Sequence, residues 1–108
     1  MIEAVVCLTT CSNEEEAEKL ARALVERRLA ACVNLVPGVR SIYRWKGAIE
    51  TEGEVLLLIK TLRERTAALE KAIGELHSYD VPELVVLPID SGSPAYLDWI
   101  GENVAPKD

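Results

Sequence analysis

The connection RWKGAIE at 44–50 is too short to contain a crossover helix, although the segments on either side are long and rich in β-forming residues. Parallel neighbours in a sheet require a crossover of about a dozen residues or more, whereas antiparallel neighbours are joined by tight turns. The segments at 32–45 and 53–62 are therefore predicted to pair as an antiparallel hairpin that turns at a Lys-Gly pair. The Pro-Gly pair at 37–38 is expected to bend the first of these strands.

The rest of the chain alternates between short apolar runs and segments with apolar residues at helical spacing. Continuous apolar runs of four to eight residues indicate buried strands, and a repeat near 3.6 residues indicates an amphipathic helix. Ser12 with Glu15 three residues later matches a capping box at the start of the first helix. The predicted elements outside the hairpin are strands at 2–10 and 82–89 and helices at about 13–29, 63–77 and 94–103.

The predicted order is strand, helix, strand, strand, helix, strand, helix. Two right-handed β-α-β units joined by a hairpin give the α+β, ferredoxin-like split β-α-β sandwich, here with a long central hairpin and a C-terminal helix. A small doubly wound sheet is the alternative, and the short middle connection disfavours it. The 108 residues predict a single domain over 1–108.

Charge and hydropathy exclude two classes of function. The net charge is −6 and no basic cluster exceeds the pair Arg27-Arg28, whereas a nucleic-acid binder needs a positive stripe. No apolar run approaches the roughly 18 residues of a membrane span. The N-terminal residues lack the basic region and cleavage site of a signal peptide, so a cytoplasmic location is expected.

The three cysteines lack a metal-binding spacing such as CxxC, and we expect them to be reduced. Cys7 and Cys32 are predicted to be small buried hydrophobic residues. Cys11 lies just before a predicted helix, where a thiol pKa can be lowered, so it is expected to be the most reactive of the three. The absence of Phe and Gln and the single Met favour a heat-adapted, thermostable protein.

The predicted hairpin is longer than its own helices can cover. A strand over 32–45 spans roughly 45 Å at about 3.3 Å per residue, whereas a first helix of about 17 residues spans only about 25 Å. The overhanging part places Tyr43 and Trp45 on one side of a two-stranded ribbon, which is unfavourable in water. We expect a second copy of the chain to cover them, although the ribbon curling back over its own sheet is the alternative.

Four segments are distinctive in combination: LAACVNLVPGVRSIYRWKGAIE, EVLLLIKT, HSYDVPEL and YLDWI. Together they resemble the CutA family of divalent-cation tolerance proteins, from about Val5 to Ile100. The resemblance implies a ferredoxin-like domain in a homotrimer, with hairpins that reach neighbouring subunits and with no settled enzymatic activity. The trimer is similar to that of the PII signalling proteins, which implies small-ligand clefts between subunits.

The metal role implied by the resemblance carries over only in part. Bacterial members are linked to tolerance of copper and other divalent ions. The family's proposed site uses a cysteine near the end of the first strand and two adjacent histidines at the end of the second helix, and those positions hold Thr9, Leu76 and His77 here. His77 is therefore the expected metal ligand, with copper as a candidate ion. Considered alone, a histidine at this position is more typical of a helix C-terminal cap.

Five other side chains are candidates for an inter-subunit cleft. Glu83 opens an apolar strand, where an unpaired buried carboxylate is costly, so Lys60 is expected as its partner unless Glu83 is exposed to solvent. Tyr79 is equally consistent with a turn aromatic, and Trp45 with an interface anchor. The five candidates are Cys32, Trp45, Lys60, Tyr79 and Glu83.

Together with these residues, the resemblance implies a homotrimeric, non-enzymatic protein that binds a divalent metal ion or a small ligand. One alternative is a structural trimer that serves as a scaffold for protein partners. A less favoured alternative is an enzyme that uses His77, Tyr79 and Glu83 as acid-base groups. No nucleophile motif or phosphate-binding glycine loop accompanies those three residues.

Overall fold

A computed structural model describes residues 3–104 and confirms the predicted order of elements. All strand pairs are antiparallel, and the sheet order is β2-β3-β1-β4, which is the ferredoxin-like arrangement. No helix within residues 3–104 has the length and apolar composition needed to cross a bilayer. The elements are β1 Ala4–Cys11, α1 Glu14–Glu26, β2 Cys32–Trp45, β3 Ala48–Leu62, a 3₁₀ helix Arg63–Arg65, α2 Thr66–Leu76, β4 Val85–Pro88 and α3 Pro94–Val104.

The main core lies between one face of the sheet and the helices α1 and α2. Side chains alternate across a strand, and β3 accordingly buries Val55, Leu57 and Ile59 while the residues between them are only half-buried. The apolar stripes of both helices cover this face, as their helical spacing predicts. The helical residues in the core are Ala17, Leu20, Ala21, Leu24, Leu69, Ala72 and Ile73.

The opposite face of the sheet is covered only at one end. There α3 packs Ile100 and Val104 against Ala4 and Leu62, which belong to the strand positions that face away from α1 and α2. Further along this open face, Val85 and Leu87 on β4 remain nearly half exposed. The open face therefore carries apolar surface that this chain leaves in contact with solvent.

The central hairpin projects beyond the helices, as its length predicts. The longest dimension of the molecule is 45 Å. Lys46 and Gly47 form the turn, both with positive φ, which is the two-residue turn that matches the twist of a hairpin. The ribbon does not curl back over its own sheet, because Ile42 is 70% exposed and Trp45 is 51% exposed.

Several predicted boundaries differ from the observed ones. The side chain of Asn13, not that of Ser12, caps α1, since Asn13 Oδ1 accepts a hydrogen bond from the Glu16 backbone N–H at 2.8 Å. The helix ends at Glu26 rather than about Leu29 because Arg28 adopts a left-handed conformation with φ 58°. Residue 2, where the first strand was predicted to begin, lies outside the described residues.

Strands β3 and β4 also differ in extent from their predictions. β3 begins at Ala48 rather than at residue 53 because its first part pairs with β2 in the projecting ribbon, where no core imposes an alternating pattern. β4 covers Val85–Pro88, only half of the predicted 82–89. The residues before it form an irregular segment that leads from α2 to the sheet edge.

Candidate functional site

His77 lies where the end of α2 meets the end of β1, and its side chain is buried. Its backbone N–H caps α2 by donating to Ile73 O at 2.9 Å, so the residue stands at the predicted cap position. The ring, however, does not contact the last carbonyls of that helix. Nε2 lies 2.7 Å from Thr10 O, and Nδ1 lies 3.0 Å from the Tyr79 backbone nitrogen.

These two contacts assign the proton on the neutral ring of His77. A carbonyl oxygen accepts and a backbone N–H donates, so Nε2 carries the proton and Nδ1 presents its lone pair to Tyr79. Both ring nitrogens are thus engaged with the backbone. This arrangement gives no support to His77 as an acid-base group that faces a substrate.

Two further ligating side chains approach the His77 ring. Cys11 Sγ lies 3.8 Å from Nε2, and Glu16 Oε1 lies 3.8 Å from Nδ1. Cys11 ends β1 and Glu16 is in the first turn of α1, so three elements converge. One potential metal-ligating atom from each of the three residues lies within 4.8 Å of the others.

Cys11 is not the reactive thiol that its position before a helix predicts. Its side chain is fully buried. Burial, and next the nearby carboxylate of Glu16, raise the pKa of Cys11 from about 9 to about 12. Loss of water around the thiol outweighs the favourable field of the helix N-terminus, so the prediction of a reactive Cys11 is wrong.

Tyr79 links the surroundings of His77 to an open cleft. Its ring lies against the imidazole, with ring centroids 4.6 Å apart. Its hydroxyl donates to Glu54 Oε2 at 2.9 Å, across to β3. Burial, followed by this hydrogen bond to a carboxylate, raises the pKa of Tyr79 above its ordinary value.

The cleft lies on the open face at the base of the projecting hairpin and has a volume of about 540 Å³. Trp45, Tyr79 and Glu83, three of the predicted cleft residues, line it together with Tyr43. The lining therefore combines aromatic and acidic side chains. The carboxylates that line the cleft are those of Glu50, Glu52, Glu54, Asp80 and Glu83.

The other two predicted cleft residues lie elsewhere on the open face. Cys32 and Lys60 are cross-strand partners at the start of β2 and near the end of β3. Lys60 Nζ donates to Asn34 Oδ1, and Cys32 Sγ lies 3.9 Å from the same oxygen. Within one chain, neither residue lines the cleft that contains Tyr79.

The expected pairing of Glu83 with Lys60 is not observed. Glu83 is exposed and makes no ion pair among the described residues, while Lys60 binds Asn34. Strand β4 begins two residues after Glu83, so this carboxylate stays outside the apolar strand. The solvent-exposed alternative for Glu83 is therefore the one observed in the single chain.

The two positions at which this chain departs from the family metal pattern are not equivalent. Thr9 is fully buried on the helix-facing side of β1, and its hydroxyl oxygen has no hydrogen-bond partner among the described residues. Leu76 is 39% exposed at the end of α2. Neither side chain offers a thiolate or an imidazole, so His77 is the remaining member of that pattern.

Comparison with known proteins identifies the family. Residues 5–103 match the family model described as CutA1 divalent ion tolerance protein. The chain belongs to this family. It is 52% identical over 98 residues to the divalent-cation tolerance protein CutA of Thermus thermophilus, which covers 91% of this chain and 95% of that protein.

Solved structures of the family show the same fold. The crystal structure of CutA1 from Oryza sativa superposes with a TM-score of 0.95 at 39% identity, covering 98% of this chain and 97% of that one. The Thermus thermophilus structure gives a TM-score of 0.90 at 50% identity, covering 97% of this chain and 100% of that one. The ferredoxin-like prediction is thereby confirmed.

Animal relatives are longer than this chain. It is 50% identical over 95 residues to the CutA homolog of Xenopus laevis, covering 88% of this chain but 63% of that protein. It covers 51% of the mouse protein CutA. The remaining parts of those proteins have no counterpart in the aligned region of this chain.

Proposed function

We propose that the protein assembles as a homotrimer that binds divalent cations or a small ligand in clefts between its subunits, and that it catalyses no reaction. One observation carries the proposal: the acid-lined cleft lies at the base of a hairpin whose far end is uncovered. A neighbouring chain that covers the hairpin would also close the cleft. Membership in a divalent ion tolerance family supports a cation as one occupant.

The exposed apolar surface supports the assembly. Ile42 and Ile49 are 70% and 62% exposed on one side of the ribbon, while Trp45 lies on the other. The open sheet face adds Val85 and Leu87. Large apolar side chains exposed next to one another are typical of interaction sites, and a closed symmetric assembly is the usual way to bury the same surface on identical chains.

The charge of the cleft supports a cation. None of its five carboxylates takes part in the ion pairs found among residues 3–104, which are Arg22–Glu18, Arg63–Glu3 and His77–Glu16. Carboxylates held near one another without a cation raise each other's energy. Oxygen-only ligands favour hard ions such as Mn²⁺, Mg²⁺ and Ca²⁺.

Calorimetric titration with Mn²⁺ tests the cleft. The triple variant Glu50→Gln, Glu52→Gln, Glu83→Gln is expected to bind Mn²⁺ at least about tenfold more weakly than the wild type. The triple variant Glu26→Gln, Glu64→Gln, Glu70→Gln loses the same three charges from exposed positions outside the cleft and is expected to bind like the wild type. Equal weakening in both variants would mean that net charge, not the cleft, attracts the ion.

Light scattering tests the assembly independently of any ion. A mass of three subunits at micromolar concentration is expected, and a folded monomer would contradict the proposal. A trimer that binds no divalent ion and no small ligand would favour the scaffold alternative. The cytoplasmic location stays a prediction, since one relative from Arabidopsis thaliana is named chloroplastic and one from Archaeoglobus fulgidus is described as periplasmic.

A further inference from the structure

We propose that Cys11, Glu16 and His77 form a second cation site, built within one chain, for a thiophilic ion such as Zn²⁺ or Cu²⁺, and that filling it releases the turn at Tyr79. The inference rests on the proposed divalent-cation function. It differs in ligand chemistry and place from the acid-lined cleft. The cysteine is not at the family position, which is occupied by Thr9 here.

The three candidate ligand atoms lie close together, at separations somewhat larger than those around a bound ion. A tetrahedral ion with bonds of about 2.0 to 2.3 Å separates its ligand atoms by about 3.3 to 3.8 Å. Cys11 Sγ lies 3.8 Å from His77 Nε2, and Glu16 Oε1 lies 3.8 Å from His77 Nδ1. One ligand atom from each of the three residues lies within 4.8 Å of the others, so side-chain rotations that draw them together are needed for one ion to contact all three. Thiolate with imidazole selects zinc or copper over magnesium or calcium.

Glu16 supplies a second observation that points to a ligand. Its Oε1 atom is buried and has no hydrogen-bond partner among the described residues, although it faces the His77 ring. A buried carboxylate oxygen without a partner is costly. A bound cation would provide the missing partner and at the same time balance the negative charge.

A groove connects the surface to Glu16, one of the three residues. A groove of about 540 Å³ runs between the start of α1 and the end of α2, and Glu16 is on its wall. Glu15 and Glu75 line the same groove, with Lys19 as its cationic member. Most of the charge along this path is negative, so it attracts cations.

When the ion binds, Cys11 is the only one of the three ligands that must lose a proton. The Cys11 S–H bond breaks and a sulfur–metal bond forms, while the proton passes to solvent and no electron is transferred. His77 needs no net change of charge, because neutral imidazole is the ligating form. Glu16 binds as a carboxylate.

Tyr79 loses its hydrogen-bond acceptor whichever nitrogen of His77 binds the ion. If Nδ1 binds, its lone pair is no longer open to the Tyr79 N–H. If Nε2 binds, the neutral ring carries its proton on Nδ1, which again cannot accept. Binding through Nδ1 keeps the Nε2–H bond to Thr10 O, the kind of backing hydrogen bond that ligating histidines usually make.

The freed turn belongs to the wall of the acid-lined cleft. Tyr79 contributes its ring and its hydroxyl bond to Glu54 there, so loosening its backbone changes the shape of the cleft. Binding of a thiophilic ion at the buried site would thus alter the region where we place the inter-subunit ligand.

Two pairs of variants test the site on the intact protein. Cys11→Ala is compared with Cys7→Ala, because both thiols are fully buried on the same face of β1. Glu16→Gln is compared with Glu15→Gln, because both carboxylates line the groove. Melting temperatures measured without metal establish that all four variants are folded.

Binding of Co²⁺ and Zn²⁺ gives the readout. Wild type, Cys7→Ala and Glu15→Gln are expected to bind one ion per chain, with a near-ultraviolet thiolate-to-cobalt absorption. Cys11→Ala is expected to lose that absorption, and both site variants to bind Zn²⁺ at least about tenfold more weakly. Equal Zn²⁺ affinity in Cys11→Ala and Cys7→Ala would overturn the site.

Hydrogen exchange tests the release of the turn. Zn²⁺ is expected to speed exchange of the Tyr79 amide in the wild type and to leave it unchanged in Cys11→Ala. Zn²⁺ bound through Cys11 without faster exchange at Tyr79 would overturn the coupling. The proposed function can fail while this site holds, and the reverse. The glutamine variants of the cleft retain Cys11, Glu16 and His77, and the site lies within one chain, so it does not require the trimer.

Discussion

At the scale of single residues, Cys7 makes the folded state sensitive to alkaline pH. Burial raises the pKa of this thiol from about 9 to about 11. Above pH 9 the unfolded chain loses the thiol proton while the folded chain keeps it. The contribution of the protonated Cys7 thiol to the free energy of unfolding is therefore fully present below pH 9 and is lost as the pH rises towards 11.

Cys7→Ala is expected to remove this contribution. Between pH 9 and 11, the unfolding free energy of the wild type should fall more steeply than that of the variant, by about 1.4 kcal/mol per pH unit. Denaturant titrations at a fixed protein concentration measure it. Between pH 6 and 8 the difference in unfolding free energy between the two proteins should stay constant. If that difference also stayed constant up to pH 11, the prediction would be contradicted.

The position of His77 could be predicted from the sequence, but its neighbours could not. Its place after an amphipathic helix is a local pattern. Cys11 and Glu16 are more than 60 residues away along the chain, and the glutamate lies in an acidic run that is typical of a solvated first turn. The available signal was topological: the end of β1, the start of α1 and the end of α2 meet at one edge of this fold.

At the scale of elements, the order of strands and helices was predictable, but the limits of β3 and β4 were not. Burial on one face imposes a period on β3 after residue 54, whereas its first six residues are exposed and carry no such pattern. Strand β4 shows the reverse difference, because it was predicted to be longer than it is. The apolar residues just before it read as strand, although only Val85–Pro88 pair with β1.

The turn of the projecting hairpin provides a test of backbone conformation alone. Gly47 has φ +83°, and a Cβ placed there meets no atom within 4 Å. Gly47→Ala is therefore expected to destabilise the protein through its left-handed backbone, by about 1–2 kcal/mol.

Gly53→Ala is the matched control for Gly47→Ala. It lies in the same hairpin, also has no atom within 4 Å of an added Cβ, and lacks the positive φ. We expect it to be neutral or slightly stabilising, by up to about 1 kcal/mol. Urea titrations of the two variants compare them, and equal destabilisation would mean that the side chain, not the backbone, matters at the turn.

At the scale of the whole molecule, the proposed self-association is expected to depend on the uncovered ribbon. Ile49→Lys places a charge at a 62% exposed apolar position on the projecting hairpin and is expected to weaken self-association at least about tenfold. Sedimentation over a range of concentrations measures it.

Val25→Lys on α1 is the control for the ribbon variant. Val25 is 42% exposed, and it lies on helix α1 rather than on the hairpin. We expect its assembly to match that of the wild type. If both lysine variants dissociate alike, added charge rather than loss of a specific contact would explain the effect.

The central position of β1 determines when the sheet is completed during synthesis. This strand is synthesised before both of its partners, and it pairs with β3, from Val55 to Leu62, and with β4, from Val85 to Pro88. Pairing between segments so distant in the chain is slow because the loop must close before any contact compensates for it. The centre of the sheet therefore stays incomplete in nascent chains until β4 has been synthesised, and over that interval β1 is open to pairing with the wrong strand edge.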